Sequence, residues 1–400
     1  MVDMNASGEY TPESDLFMRI GGLQRLMAEA SIDWAIIYEN VNRFYFTGTM
    51  AKGIVAVPVN GEPMLFLEKG RERAKGETPF SIIPVKNEKE AGAILRNAGV
   101  SEGVTGLELD VLPVSAFERM KRTLGIGRAV DITPAIKELR IIKSAFEIDQ
   151  LKKAGHISDG VYRAARDLVR EGVSELEIEA ALVATGRRLG HHGGYRMRGI
   201  NQEIMMMTIQ SGASGVIPTF VDGPLPGAGI SPAVPHGSTF KKVERGVPVT
   251  IDYVAGYNGY HADETRAFVA GELKEVFRKP YETSKAILED AMASGKEGVD
   301  CTELWERAYA MVKKAGLEEY FMGHGESQVS FLGHGIGLEV NELPVVTAKH
   351  KRVLKEGMVI ALEPKFILPL HGAIGIEIDV IVRKDRLERL TENPIELVQV

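Results

Sequence analysis

The stretch VPVTIDYVAGYNGYHADETRAF, Val247 to Phe268, reads as a β-hairpin with an aspartate in each arm, Asp252 and Asp263. Asn258-Gly259 at its centre favours a two-residue type I′ turn. Pairing Tyr257 with Tyr260 pairs Val254 with Asp263. Asp252 and Asp263 then share one sheet face as diagonal neighbours, roughly 6–8 Å apart at Cβ. Two carboxylates held that close against a packed partner repel each other and lose hydration; a cation between them removes both problems. Taken alone, two solvent-exposed aspartates on an edge hairpin fit the same spacing. Further along, His334 sits in the glycine-rich turn FLGHGIGLEVNELP, whose glycines are expected to open space around the imidazole, and Glu363 ends the strand run in GMVIALEPKF. Glu377 interrupts GAIGIEIDVIV, where Ile376, Ile378, Val380 and Val382 take one face and Glu377 the other, beside Asp379. A glutamate in a buried strand is costly, so two of them and a histidine call for a shared partner. Four carboxylates and one imidazole suit manganese, cobalt, iron or zinc at two adjacent sites, and suit copper or an iron–sulfur cluster poorly.

The elements that must hold these residues follow from periodicity. The chain has 400 residues, more than one compact core usually holds, so two domains are expected. In the first third, the strand-like runs DWAIIY, RFYFTG, GIVAVPV, PMLFLE, FSIIPV and VTGLELD alternate with helical patterns over 16–30, 88–98 and 114–124. Asn60-Gly61 in VNGEP signals a hairpin. This is an α/β pattern. Ser144 and Glu147 then form a capping box ahead of a long amphipathic helix. The boundary is placed at 137–143, which gives an N-terminal domain over residues 1–140 and a second domain over 141–400.

An internal echo follows. REGVSELEIEAALVATGRRLG from Arg170 and KEGVDCTELWERAYAMVKKAG from Lys296 coincide at one offset, matching Gly172 with Gly298, Val173 with Val299, Ser174 with Asp300 and Glu177 with Glu303. Each copy opens with a capping residue followed three places later by glutamate. A chance match of two capped helices is the competing account. The preferred reading is a duplicated helix-plus-strands unit, its halves facing each other across a pseudo-twofold and ending in β-structure at 247–269 and 357–383.

The ordered set Asp252, Asp263, His334, Glu363, Glu377 resembles the ligand set of the pita-bread metallopeptidases. These include methionine aminopeptidase, aminopeptidase P and prolidase, with creatinase as a relative that does without the metals. GYHADETRAF, GHGIGLE, ALEP and GIEIDV look like the segments around the family's second Asp, its His and its two Glu ligands. The first third resembles the N-terminal domain of the aminopeptidase P and prolidase branch. The fold implied is an α/β creatinase/prolidase-like domain followed by an α+β pita-bread catalytic domain with internal pseudo-twofold duplication. The resemblance further implies two divalent transition-metal ions, manganese first, with cobalt, zinc or iron as alternatives. Asp263 and Glu377 would bridge them, Asp252 would complete one shell, and His334 and Glu363 the other. Glu363 would take and return a proton. His236, in the Gly/Pro-rich GISPAVPHGSTF, would steady the oxyanion, although a surface-loop histidine is the plainer reading. His324 in FMGHGES and Asn341 in EVNELP are further candidates for substrate binding. His261, two residues before Asp263, is expected in a structural or supporting role, and Met205 to Met207 in a core strand.

Three positions depart from the proline-specific pattern. Asn341 stands where a second histidine follows the ligand His by seven residues. Gly375 stands where an arginine precedes the last glutamate by two. Pro364-Lys365-Phe366 replaces Pro-Gly-aromatic. None is expected to touch a metal ligand; all fall where the substrate is recognised. The expected activity is hydrolysis of the N-terminal bond of small peptides, Xaa-Pro first, by a homodimer. A creatinase-like or other small-molecule C–N hydrolase is the alternative. A non-catalytic binding module is a third reading, and retention of all five ligand types argues against it.

Bulk properties exclude other classes. A net charge of −7 gives no electrostatic reason for nucleic acid or an anionic membrane as partner, and the basic run KHKRVLK, 349–355, reads as a solvated face. The single cysteine, Cys301, cannot form an internal disulfide, fits a reducing compartment and reads as a buried helix residue. MVDMNASGEYTPESD has no apolar core of a signal peptide, and no apolar run is long enough to span a bilayer. A cytoplasmic protein is expected.

Overall fold

The computed structural model describes residues 9–202, 205–225 and 227–400. Most of the N-terminal stretch read above lies outside them. The chain forms two compact units, the first ending at Arg140 and the second running from Ile141 to Val400.

The first unit is built on a six-stranded mixed sheet. Its strands are β1 (Trp34–Ile37), β2 (Gly53–Pro58), β3 (Met64–Leu67), β4 (Ile82–Pro84), β5 (Val104–Leu107) and β6 (Arg128–Asp131), in the order β4-β3-β2-β1-β5-β6. β1 is buried at every position, which matches its unbroken WAII run. The helices Glu13–Glu29, Glu88–Asn97 and Val114–Leu124 fall where the sequence pattern places them. RFYFTG does not form a strand. It lies in a helix, Asn40–Thr47, because the Glu39 side chain caps Asn42 N and Gly48 ends the helix at φ 75°. Local capping outweighs the β-propensity of its aromatics.

The second unit opens with the helix Ala145–Leu168, whose N-terminus carries the reciprocal Ser144–Glu147 capping box. Its sheets contain β7 (Met207–Ser211), β8 (Pro248–Tyr257), β9 (Tyr260–Val269), β10 (Gly333–Gly335), β11 (Glu342–Val346), β12 (Val359–Leu362), β13 (Lys365–Leu368), β14 (Gly372–Gly375), β15 (Ile378–Val382), β16 (Leu387–Arg389) and β17 (Val398–Gln399). One sheet runs β17-β9-β8-β7, another β11-β10-β12-β15-β16, and β13 and β14 form a separate hairpin.

The internal echo has a structural counterpart. Gly172 and Gly298 both adopt left-handed backbone, at φ 85° and 90°. Gly172 N donates to Val243 O and Gly298 N to Leu354 O, each at 2.9 Å. Glu175 N donates to Lys241 O as Cys301 N does to Arg352 O. Ser174 bridges Lys242 as Asp300 bridges Val353. Each half thus fastens the start of its helix, Glu175–Arg188 or Cys301–Ala315, to the segment leading into its central hairpin strand. The two copies differ in the cap: Ser174 closes a full box with Glu177, while the Asp300 carboxylate accepts from Thr302 N.

Cys301 is fully buried at the first turn of its helix, and burial pushes its thiol up to about 12. The thiolate is the reactive form. Iodoacetamide at about pH 8 should therefore leave the native chain unlabelled and modify its one cysteine only in denaturant. Rapid labelling of native protein would show that the thiol is reachable.

Candidate metal centre

The β8–β9 hairpin has the register that its turn dictates. Tyr257 pairs with Tyr260, Val254 with Asp263 and Asp252 with Thr265. Asn258 and Gly259 take φ 48° and 86°, the two left-handed residues a type I′ turn requires. His334 lies on β10 between β11 and β12. The glycines beside it do not open space. A Cβ at Gly333 would fall 2.0 Å from Ala361 O, and one at Gly335 2.0 Å from Leu343 O. They let the neighbouring strands close on the imidazole. Glu363 follows β12 directly, and Glu377 lies between β14 and β15. Glu377 N donates to Thr265 O at 3.0 Å, which ties the two halves of the unit together at the site.

One ligand atom from each of Asp263, His334 and Glu377 lies within 4.8 Å of the others. His334 Nδ1 faces Gly335 O at 3.1 Å. A carbonyl only accepts, so Nδ1 carries the proton and Nε2 is left with its lone pair. Nε2 stands 3.5 Å from Glu363 Oε1. Asp263 Oδ1 and Glu377 Oε1 are buried without a hydrogen-bond partner. Orphaned carboxylate oxygens beside a free imidazole nitrogen are what a divalent cation needs. These residues fit one. Two further groups orient them: Thr265 Oγ1 donates to Glu377 Oε2 at 2.9 Å, and Asp379 Oδ2 accepts from Asp263 N at 2.8 Å.

Lys365 overturns one expectation. PKF was expected to stay clear of the ligand set, yet Lys365 is 1% exposed and its ammonium lies inside it. Nζ is 2.7 Å from Glu377 Oε2, 2.9 Å from Glu363 Oε2 and 3.3 Å from Asp252 Oδ2. The signal was present in the sequence: a strand puts residues two apart on one side, so a lysine two after Glu363 points the same way. β13 and β14 pair Lys365 with Gly375, where a Cβ would fall 2.6 Å from Lys365 Cγ. The missing arginine and the added lysine thus occupy one rung.

Charge in the cluster is unevenly met. Burial lifts Asp252 to about 6 and Glu363 to about 8, against the pull of Lys365. Burial, then Glu377 and Asp252, also raise Asp263. Burial opposes ionisation of Glu377 as well, yet the Lys365 ammonium holds it below the usual carboxylate value. One ammonium does not neutralise four carboxylates, so the cluster still favours an added cation.

These side chains line a cavity of about 350 Å³, the size of a small-ligand site. His236 also lines it, 7% exposed, with Nδ1 unpartnered, and burial lowers its pKa to about 4. Tyr195, which no sequence motif singled out, contributes a buried hydroxyl without a partner. Asn341 lines the cavity but its amide is engaged: Oδ1 accepts from Arg198 N and Nδ2 donates to Arg198 O, both at 2.8 Å. His324 is not among the lining residues. It stacks on Tyr320 and lines the adjoining cavity beyond residues 221–224. His261 is fully buried and its Nδ1 meets Gly337 O at 3.1 Å. Of the three methionines only Met207 lies on a strand; Met205 is half-exposed and lines the cavity.

The family model of metallopeptidase family M24 matches residues 149–384, and the creatinase/prolidase N-terminal domain matches residues 19–142. The chain belongs to metallopeptidase family M24. It is a hydrolase with the pita-bread fold and a creatinase-like N-terminal domain. It is 32% identical over 383 residues to a Xaa-Pro dipeptidase of Pyrococcus furiosus, across 95% of this chain and 99% of that one. The solved prolidase of Pyrococcus horikoshii OT3 superposes with a TM-score of 0.80 at 29% identity, covering 95% of this chain and 100% of that one. The X-Pro aminopeptidase of Thermotoga maritima MSB8 does so with 0.77 at 27%, covering 95% and 99%. Within this M24 chain, Thr265→Val should weaken Mn²⁺ binding by about 10–100-fold, because the hydroxyl that orients Glu377 is lost. Calorimetric titration reads this directly; unchanged affinity would remove Thr265 from the site.

Proposed function

We propose that residues 141–400 are a metal-dependent exopeptidase domain cleaving the first peptide bond of small peptides, with proline in the second position, and that residues 1–140 are its N-terminal creatinase/prolidase-like domain. The observation that carries this is the convergence of Asp263, His334 and Glu377 around unpartnered oxygens beside a cavity of peptide size. Relatives named Xaa-Pro dipeptidase span nearly the whole chain. Asp263, His334 and Glu377 would hold a divalent ion, with Asp252 and Glu363 beside them. The family resemblance makes manganese the first choice and implies two ions, a number on which Lys365 bears. A divalent ion there supplies Lewis acidity, bringing the pKa of water toward neutral and polarising a carbonyl.

The chain's own groups do the rest. Glu363 lines the cavity with one oxygen 3.5 Å from His334 Nε2, and is placed to take and return a proton there. His236 offers a neutral imidazole N–H to a developing oxyanion, and the Tyr195 hydroxyl is a further donor on the same cavity. Asn341 acts on the cavity wall by clamping the Arg198 backbone. A cytoplasmic homodimer completes the proposal; the lone buried cysteine supports a reducing compartment, and the family resemblance supports the dimer. Among the described residues no helix is long and apolar enough to cross a membrane.

Asn341 and Gly375 favour the second reading, a C–N hydrolase acting on a small non-peptide substrate. A panel of Xaa-Pro dipeptides, longer Xaa-Pro peptides, Met-peptides and amidino compounds, assayed with Mn²⁺ or Co²⁺, separates the two. Turnover of an Xaa-Pro dipeptide is expected, and Asp263→Asn should lose both metal and turnover. Amidino turnover without any Xaa-Pro cleavage would select the second reading.

His236 yields a pH prediction. Burial disfavours the imidazolium, so the ring is neutral above about 4. His236→Ala should lower kcat/KM by about 10²–10³-fold, the cost of one oxyanion donor. The acid limb of the pH profile should keep its position, because this ring does not titrate there. A limb that moves with the substitution would assign it to His236.

A further inference from the structure

The donor set fits one cation at Asp263, His334 and Glu377, but a second does not fit beside Lys365. The Lys365 ammonium has three N–H donors, and three carboxylate oxygens, from Asp252, Glu363 and Glu377, lie within reach of them. A divalent ion on those same oxygens would sit about 2.0–2.2 Å from each. It would then stand in the space of Nζ and against its charge. The side chain is not a stray surface lysine turned inward. It is fully buried, it leaves from the first residue of β13, and its rung partner is a glycine with no room for any side chain. Asp263 Oδ1 and Glu377 Oε1, by contrast, remain without partners. The arrangement divides the cluster into a part already met by a covalently attached cation and a part that still lacks one.

We propose that Lys365 is a built-in cation standing where a second divalent ion would coordinate Asp252, Glu363 and Glu377, so that the chain binds one divalent ion, at Asp263, His334 and Glu377. This rests on the metal-dependent reading above and refines it. The centre is mononuclear, and Asp252 serves as a partner of the lysine instead of a ligand. Glu377 faces both cations, one through each oxygen.

The test is metal stoichiometry on the full chain, by elemental analysis after loading with Mn²⁺ and gel filtration, together with electron paramagnetic resonance of the loaded protein. Wild type should hold about one Mn²⁺ per chain and show the six-line spectrum of an isolated ion. Lys365→Met should raise the stoichiometry to about two and give the broadened spectrum of a coupled pair. Lys365→Gln, of similar length and without the charge, should do the same if the methionine variant does not fold. Two ions in wild type would overturn the proposal and leave the metal-dependent reading standing. One ion in wild type and in every folded variant would also overturn it, since Lys365 would not then be what excludes the second. No ion in wild type would overturn both.

Discussion

The gathering of four carboxylates in one cluster, three of them buried and Asp252 half-buried, is the constraint on which the second unit is built. Like charges at such distances in a low dielectric do not stay ionised unaided. The fold answers with groups of different kinds: the Lys365 ammonium, the Thr265 hydroxyl, the Asp263 backbone held by Asp379, and a histidine whose free nitrogen faces the carboxylates. They come from β9, β10, β13 and β15, strands that belong to both copies of the internal repeat. The site is therefore not grafted onto a finished scaffold. It lies at the seam where Thr265 and Glu377 exchange backbone hydrogen bonds.

Much of this was legible in the sequence because local rules decide it. Asn258-Gly259 admits essentially one short hairpin, and the register of both aspartates follows from it. The capping residues Ser144, Ser174 and Asp300 mark helix starts by chemistry that does not depend on tertiary context. RFYFTG was misread because two local signals compete there and the weaker-looking cap prevails. The glycines around His334 were read as making room when they serve close approach, a distinction that only the neighbouring strands can make.

The remaining gaps are of another kind. His324 and Asn341 have suitable side chains near suitable motifs, but where they point is fixed by contacts that no motif announces, a local turn for His324 and a segment far away in the sequence for Asn341. His324 turns to Tyr320 and Glu319, and Asn341 to Arg198. Tyr195 belongs to a glycine-rich stretch with no periodicity to read. Lys365 was visible as an odd residue and its direction could be inferred, but its meaning depends on Gly375 across the hairpin.

That rung also limits what the hairpin can hold. A side chain at 375 would overlap the stem of Lys365 and also its Cα and the Pro364 carbonyl, so the rung holds one side chain and no more. Enlarging residue 375 therefore displaces main chain whatever stands at 365, and the hairpin can give the cluster a cation from one of its strands only.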